Sequence, residues 1–204
     1  MKLAAGLLLL LCTSLPAQTP AVGSVILFIG PPGSGKSTQA AAAAKKYNLP
    51  VISRQDLIAV DPEAYRQNRS KAMGGMTVES DPFLNDLFAR KLEKIDVTRG
   101  LLLDGYPATK DHADFLAKLA KEGKLPHLCA IQLTIPDDVV MRRMKGSHEL
   151  KDGTLQQRLK DYHREMDMLK LYFPAVDIVT IDATPKITTV TRKVNAALDQ
   201  RLKR

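Results

Sequence analysis

Tryptophan is missing from this sequence of 204 residues, and phenylalanine and tyrosine together make up only 5% of it. A site that stacks successive bases of a nucleic-acid strand on aromatic rings is therefore poorly supplied. Only two cysteines occur, Cys12 and Cys129. Two thiols build neither the disulfide framework of a small extracellular scaffold nor a thiolate metal centre. Cys129 lies in Leu128-Cys129-Ala130-Ile131-Gln132-Leu133 and reads as a small core residue. Acidic residues are also short, 22 against 30 Lys and Arg, for a formal net charge of +8. The cations form no dense run, so the surplus points to small anionic substrates and no nucleic-acid partner is expected.

The main apolar run opens the chain. Met1-Lys2 precedes Leu3-Ala4-Ala5-Gly6, the leucines Leu7 to Leu11, and then Ser14-Leu15-Pro16-Ala17-Gln18. A short positive region, an apolar centre and small residues beyond it form the pattern of a secretory signal peptide, assigned here to residues 1–21. The run is too short for a permanent membrane span, so no stable membrane anchor is expected. Cleavage after Ala17 or Ala21 would export the chain to a periplasm or to the exterior. A chain starting near Gly23 would instead stay cytoplasmic. Residues 22–204 suit one α/β domain with a substantial core, expected to act as a monomer.

What the sequence does have is concentrated at residues 30–38. Gly30-Pro31-Pro32-Gly33-Ser34-Gly35-Lys36-Ser37-Thr38 follows the apolar run Val25-Ile26-Leu27-Phe28-Ile29 and precedes the alanine-rich stretch from Gln39 to Lys46. This is G-x-x-x-x-G-K-S between a buried strand and a helix. Glycines let the backbone wrap phosphate oxygens, and the helix directs its N–H groups and positive end at them. Lys36 is assigned to the terminal phosphates of a nucleoside triphosphate and the Ser37 hydroxyl to Mg²⁺.

Short β-like runs at Val25–Ile29, Pro50–Ser53, Leu101–Asp104, Cys129–Ile135 and Asp177–Ile181 alternate with helical patterns. Such alternation predicts a five-stranded parallel sheet covered by helices on both faces, with the ligand beyond the carboxyl ends of the strands. The P-loop, Ser53 and Asp104 all lie at such ends. The polar stretch from Asp61 to Asp81 is punctuated by Pro62, Gly74-Gly75 and Pro82, and reads as an insertion over the cleft. A helix should follow it, because Phe83, Leu84, Leu87, Phe88 and Leu92 share one helical face. Another should begin at Thr154, where Thr154-Leu155-Gln156-Gln157 has the form of a capping box, with Leu155, Leu159, Tyr162 and Met166 as its buried stripe.

With Leu101-Leu102-Leu103-Asp104-Gly105-Tyr106-Pro107 after a P-loop, the sequence resembles the adenylate kinase family of nucleoside monophosphate kinases. The likeness extends through Val51-Ile52-Ser53 with Asp56-Leu57, Ile135-Pro136-Asp137-Asp138 with Arg143, Thr154 to Tyr162 with Arg158, and Asp182-Ala183-Thr184-Pro185. It implies a P-loop fold with a small acceptor-binding insertion, about residues 53–84, and a very short lid, about 144–153. It implies Mg²⁺-ATP as phosphoryl donor, held by Gly30, Gly33, Ser34, Gly35, Lys36, Ser37, Thr38 and Ala183, with Ser37 and Asp104 at the metal. Lys36, Arg143 and Arg158 would stabilise the transferring group, and Ser53, Arg54, Gly105 and His112 would form the acceptor site. The Asp-Gly-Tyr-Pro turn, and the lack of an Asn-Lys-x-Asp motif, speak against a GTPase, helicase or nuclease.

Three departures fall in the acceptor site. The family carries arginines where this chain has Ala59 and Ala108, and a glutamine where it has His112. Each lost charge-assisted bond removes roughly 1.5–3 kcal/mol. Arg54 is a candidate substitute, because the end of the second strand faces the acceptor; Arg66 and Arg69 read as a solvated face. His112 would either meet a base or stand exposed at a helix start. The sequence thus supports a nucleoside monophosphate kinase, with an exported ATP-binding relative lacking transfer as the alternative.

Overall fold

The structure, a computed structural model, describes residues 23–73, 82–145, 152–172 and 177–202. The signal-peptide assignment, the end of the polar insertion and most of the short lid lie outside them. In chain order the elements are β1 (Ser24–Ile29), α1 (Lys36–Tyr47), β2 (Val51–Ser53), α2 (Arg54–Val60), α3 (Pro62–Met73), α4 (Pro82–Leu92), β3 (Leu101–Asp104), α5 (Lys110–Lys121), β4 (His127–Thr134), α6 (Asp137–Met144), α7 (Asp152–Tyr172), β5 (Asp177–Asp182) and α8 (Ile187–Arg201). The strands form one sheet in the order β2-β3-β1-β4-β5, with every pairing parallel.

Parallel strands covered on both faces need apolar side chains on both, which explains the unbroken runs Val25–Phe28 and Leu101–Leu103. Side chains alternate across the sheet with period two. Val25, Leu27, Leu101, Leu103 and Ala130 enter one core with Leu84, Leu87 and Phe88 of α4 and Leu116 of α5. Ile26, Phe28, Leu102, Cys129 and Ile131 enter the other with Ala40 and Ala43 of α1 and Val190 and Val194 of α8. Cys129 is therefore the small core residue that its apolar surroundings predict. Ala40 and Ala43 give α1 a flat face against the sheet beneath the P-loop.

At its far end α1 is tied to α8. The Tyr47 hydroxyl donates to Asp199 Oδ1 at 2.8 Å, with the Asn195 carbonyl 3.0 Å away as a second acceptor, and accepts from Lys46 Nζ at 3.0 Å. Burial pushes the Tyr47 phenol above its usual range and the neighbouring Asp199 adds to the effect, against the opposing Lys46.

Two expected boundaries differ. The insertion is helical from Pro62 to Met73, where the proline had suggested punctuation. Pro62 occupies the first helical position, which needs no N–H, and Asp61 Oδ1 accepts from Ala64 N at 2.9 Å as the cap. The helix expected from Thr154 already starts at Asp152, so Thr154 is not its cap. Its stripe is as expected: Leu155, Leu159 and Met166 are buried and Tyr162 half-buried. No helix of the described residues is long and apolar enough to cross a membrane.

The start of α2 is fixed by a capping box. Ser53 Oγ accepts from Asp56 N at 3.0 Å, while Ser53 N and Oγ donate to Asp56 Oδ2 at 2.9 and 2.7 Å. Burial pushes the Asp56 carboxyl up, but the bonds from Ser53, helped by Lys91, hold it below the usual carboxylate range. A group depressed in the folded state contributes stability above its unfolded pKa and loses it as pH falls through the folded value. Replacing Ser53→Ala should therefore cost about 1 kcal/mol in urea denaturation near neutrality. That difference should shrink as pH falls below about 4 and through the lowered pKa of Asp56 in the folded wild type, where the carboxyl takes up its proton.

Candidate active site

The β1–α1 loop is shaped by positions where a side chain does not fit. A Cβ on Gly30 would lie 2.6 Å from Ser34 Oγ and 2.9 Å from the Leu133 carbonyl oxygen of β4. Gly33 and Gly35 take positive φ, +71° and +85°, the left-handed conformation that glycine adopts without strain. Gly35 is the N-cap of α1, and no side chain caps that helix end. The space above Gly35 is open, with no atom within 4 Å of where a Cβ would stand. The first N–H groups of α1 thus face an open, electropositive cradle, with no acidic residue in the first turn to oppose an anion. Lys36 is half-buried at the first position of α1, followed by the exposed residues Ser37 and Thr38.

Asp104 ends β3 in register with Phe28 of β1 and Ser53 of β2, so its carboxylate stands beside the strand that feeds the loop. Asp104 is 7% exposed, and its Oδ1 is buried without a hydrogen-bond partner. Ser34 Oγ in the loop and Gln39 Oε1 in α1 are the other such atoms among the described residues. A buried polar group left unpaired costs about 1–3 kcal/mol, so three of them around one loop indicate groups arranged for a ligand. A carboxylate and a hydroxyl are hard oxygen donors suited to Mg²⁺, which prefers to share its coordination with substrate phosphates. No cluster of three or more His, Cys, Asp or Glu able to hold a metal occurs among the described residues. Asp104 and Ser37 therefore fit a magnesium ion brought in with the nucleotide.

Arg143, at the end of α6, spans the donor side. Its Nη1 donates to the Gly33 carbonyl at 3.2 Å, and its Nη2 to the carbonyls of Ala183 and Thr184 at 2.9 and 3.0 Å. One side chain thus connects the P-loop with the β5–α8 loop, and two of its five N–H donors stay unused by these bonds. Ala183 is buried, with its N–H on the Thr134 carbonyl at 2.9 Å. Asp182 accepts from Thr184 N at 2.8 Å, and the bonds from Thr184 hold its carboxyl below the usual range. Arg142, by contrast, pairs with Asp138 at 2.6 Å on the surface, as its sequence position suggests. Arg158 is exposed on α7, one turn before Tyr162, whose hydroxyl accepts from Gln132 near the end of β4 at 3.3 Å.

On the acceptor side the Gly105-Tyr106-Pro107 turn follows Asp104, with Gly105 at φ +71° and a cis bond before Pro107. Tyr106 stacks on Phe88 at 4.8 Å between ring centroids and donates to Asn85 Oδ1 at 2.5 Å. His112 is not exposed. It is 1% exposed, tilted against Tyr106 at 4.8 Å, and its Nδ1 accepts the Ala108 N–H at 3.2 Å. The exposed helix-start reading of His112 is therefore corrected: apolar packing under the turn has drawn the ring inside. Ser53 uses its hydroxyl in the α2 cap, whereas Arg54 lies over Gly105, with Cβ 3.7 Å from where a Gly105 Cβ would stand. The Arg54 Nη2 donates to the hydroxyl of Tyr65 at 3.3 Å, a contact that the polar sequence around Tyr65 does not announce.

A parallel sheet whose central strand empties into an uncapped, glycine-rich phosphate loop defines the P-loop class of nucleotide-binding α/β proteins. Residues 28–177 match the family model described as adenylate kinase. The chain is 33% identical over 181 residues to an adenylate kinase of Corynebacterium urealyticum, covering 86% of this chain and 99% of that one. It is 28% identical to adenylate kinases of Mesorhizobium japonicum, over 189 residues, and Agrobacterium fabrum, over 193 residues. Those alignments cover 85% and 86% of this chain and 96% and 97% of the relatives. The chain belongs to the adenylate kinase family, a family of nucleotide phosphotransferases.

Because Asp104 Oδ1 has no protein partner, Asp104→Asn should leave the urea midpoint of the nucleotide-free protein nearly unchanged. The same change should remove most of the gain in ATP affinity that magnesium brings, as read by calorimetric titration with and without the ion. Gly33→Ala should weaken ATP binding with or without magnesium, since it forces an alanine into a left-handed conformation costing about 1–2 kcal/mol.

Proposed function

We propose that this protein transfers the γ-phosphoryl group of Mg²⁺-ATP to a nucleoside monophosphate. The observation that carries the reading is the buried, unpartnered Asp104 Oδ1 beside an open, uncapped phosphate cradle. Phosphoryl transfer asks mainly for positioning and for neutralisation of charge spread over the phosphate oxygens. Magnesium bound with the nucleotide would supply part of that neutralisation, held by Asp104 and the Ser37 hydroxyl. The P-loop N–H groups and Lys36 would hold the donor's β- and γ-phosphates. Arg143 would present its remaining N–H donors to the transferring group while staying anchored to the P-loop and the base-side loop. Arg158 would complete the charge from α7. The donor's base would rest against the loop at Ala183. A monophosphate oxygen is already a nucleophile, so no general base is required. Gly105 leaves the acceptor room beside Arg54, while Ser53 supplies the capped end of β2.

The alternative, an ATP-binding relative without transfer, is favoured by one observation. Ala59 and Ala108 offer no phosphate-binding side chain, and the Ala108 N–H is committed to His112. Steady-state ADP production with Mg²⁺-ATP and a panel of nucleoside monophosphates separates the two readings, with Lys36→Ala as the blank. Turnover with one acceptor and a loss of at least about a thousandfold in Lys36→Ala supports transfer, a loss of about 4 kcal/mol in transition-state stabilisation. ATP binding without turnover on any acceptor supports the alternative.

The leader-like segment at residues 1–21 is proposed to export the chain. Amino-terminal sequencing of the mature protein should then begin after Ala17 or Ala21.

A further inference from the structure

Arg54 differs from three exposed arginines of this structure. Arg66, Arg142 and Arg164 are exposed and each pairs with a carboxylate, Glu63, Asp138 and Asp161 respectively. Arg54 is half-buried and bonds the neutral hydroxyl of Tyr65, itself only 8% exposed. Asp56, the acid on the same helix, is turned back onto Ser53 by the capping box. No carboxylate among the described residues pairs with the Arg54 guanidinium.

Burying part of an arginine without an acid is unfavourable unless an anion completes the site. The position favours such an anion. Ser53 is in register with Asp104, so Arg54 stands one residue beyond the end of β2, over the glycine that follows the Asp104 carboxylate. A neutral anchor fixes the direction of the guanidinium without discharging it, and a planar fork suits two oxygens of one phosphate.

We propose that Arg54, steered by the Tyr65 hydroxyl, is the relocated phosphate fork of the acceptor site, standing in for arginines absent at Ala59 and Ala108. The acceptor class that follows is a phosphate-bearing molecule; a neutral hydroxyl acceptor would leave the fork unmatched. Tyr65 is the positioning residue, and Arg54 the residue that touches substrate. The inference rests on the reading of this cleft as a phosphoryl-acceptor site.

The test is calorimetric titration of the full chain with nucleoside monophosphates and with the matching nucleosides. Wild type should prefer a monophosphate, and Arg54→Met should reduce that preference by about tenfold or more, the share expected of a charge-assisted bond. Nucleoside affinity should stay within about twofold, because methionine keeps most of the apolar stem. Arg54→Lys should retain an intermediate preference, as a point charge without the fork. Tyr65→Phe, which removes only the anchoring hydroxyl, should weaken monophosphate binding by about twofold to fivefold and leave nucleoside binding alone. An unchanged preference in Arg54→Met, an equal loss for nucleoside and monophosphate, or no preference in wild type would overturn the proposal. ADP production is measured in parallel. Arg54-dependent binding without turnover keeps this inference and sinks the transfer reading; turnover with an acceptor KM indifferent to Arg54 does the reverse.

Discussion

Everything at the donor site depends on how closely the end of β1 approaches the end of β4. Gly30 sits where any side chain would strike Ser34 Oγ and the Leu133 carbonyl. That contact turns the chain out of the sheet at once, so the loop curls over the strand ends and delivers α1 with its N–H groups uncapped. The apolar alternation of β1 supplies the force that holds it there. Val25 and Leu27 anchor one face, Ile26 and Phe28 the other, and the strand cannot slide without exposing both cores.

Polar groups are distributed unevenly around that frame. On the surface, charged residues pair along their own helices, as Arg142 does with Asp138 and Lys110 with Asp114. Around the strand ends the rule is reversed: Asp104, Ser34 and Gln39 keep buried atoms unpaired. Exposed pairs of this kind contribute little to stability, whereas unpaired buried atoms carry a definite cost. The asymmetry marks where folding has been held back in favour of binding.

Much of this was legible in the sequence. The strands are continuous apolar runs bounded by glycine, proline or charge, and the glycines of the P-loop carry their own geometric signature. The stripe on α4 was plain because Leu84, Leu87 and Phe88 follow helical spacing. The helix from Pro62 was hidden because a proline in the first turn reads the same as a proline in a loop until its cap at Asp61 is seen. The burial of His112 depends on Tyr106 and Phe88 from other segments, which no local pattern connects. Likewise the Arg143 carbonyl contacts join residues 40 to 110 positions apart in the chain, and the Tyr65 anchor residues 11 apart. The residues of the site were readable one by one; which of them restrain one another was not.

The tie made by Tyr47 has a mechanical consequence. The helix that carries the phosphate cradle at one end is pinned at the other to α8, the helix that follows the base-side loop. Arg143 closes the same circuit from above. The two walls of the donor pocket are therefore tied to each other at both ends. On the acceptor side α4 is held by the core, through Leu84, Leu87 and Phe88, and Arg54 of α2 lies over the turn at Gly105.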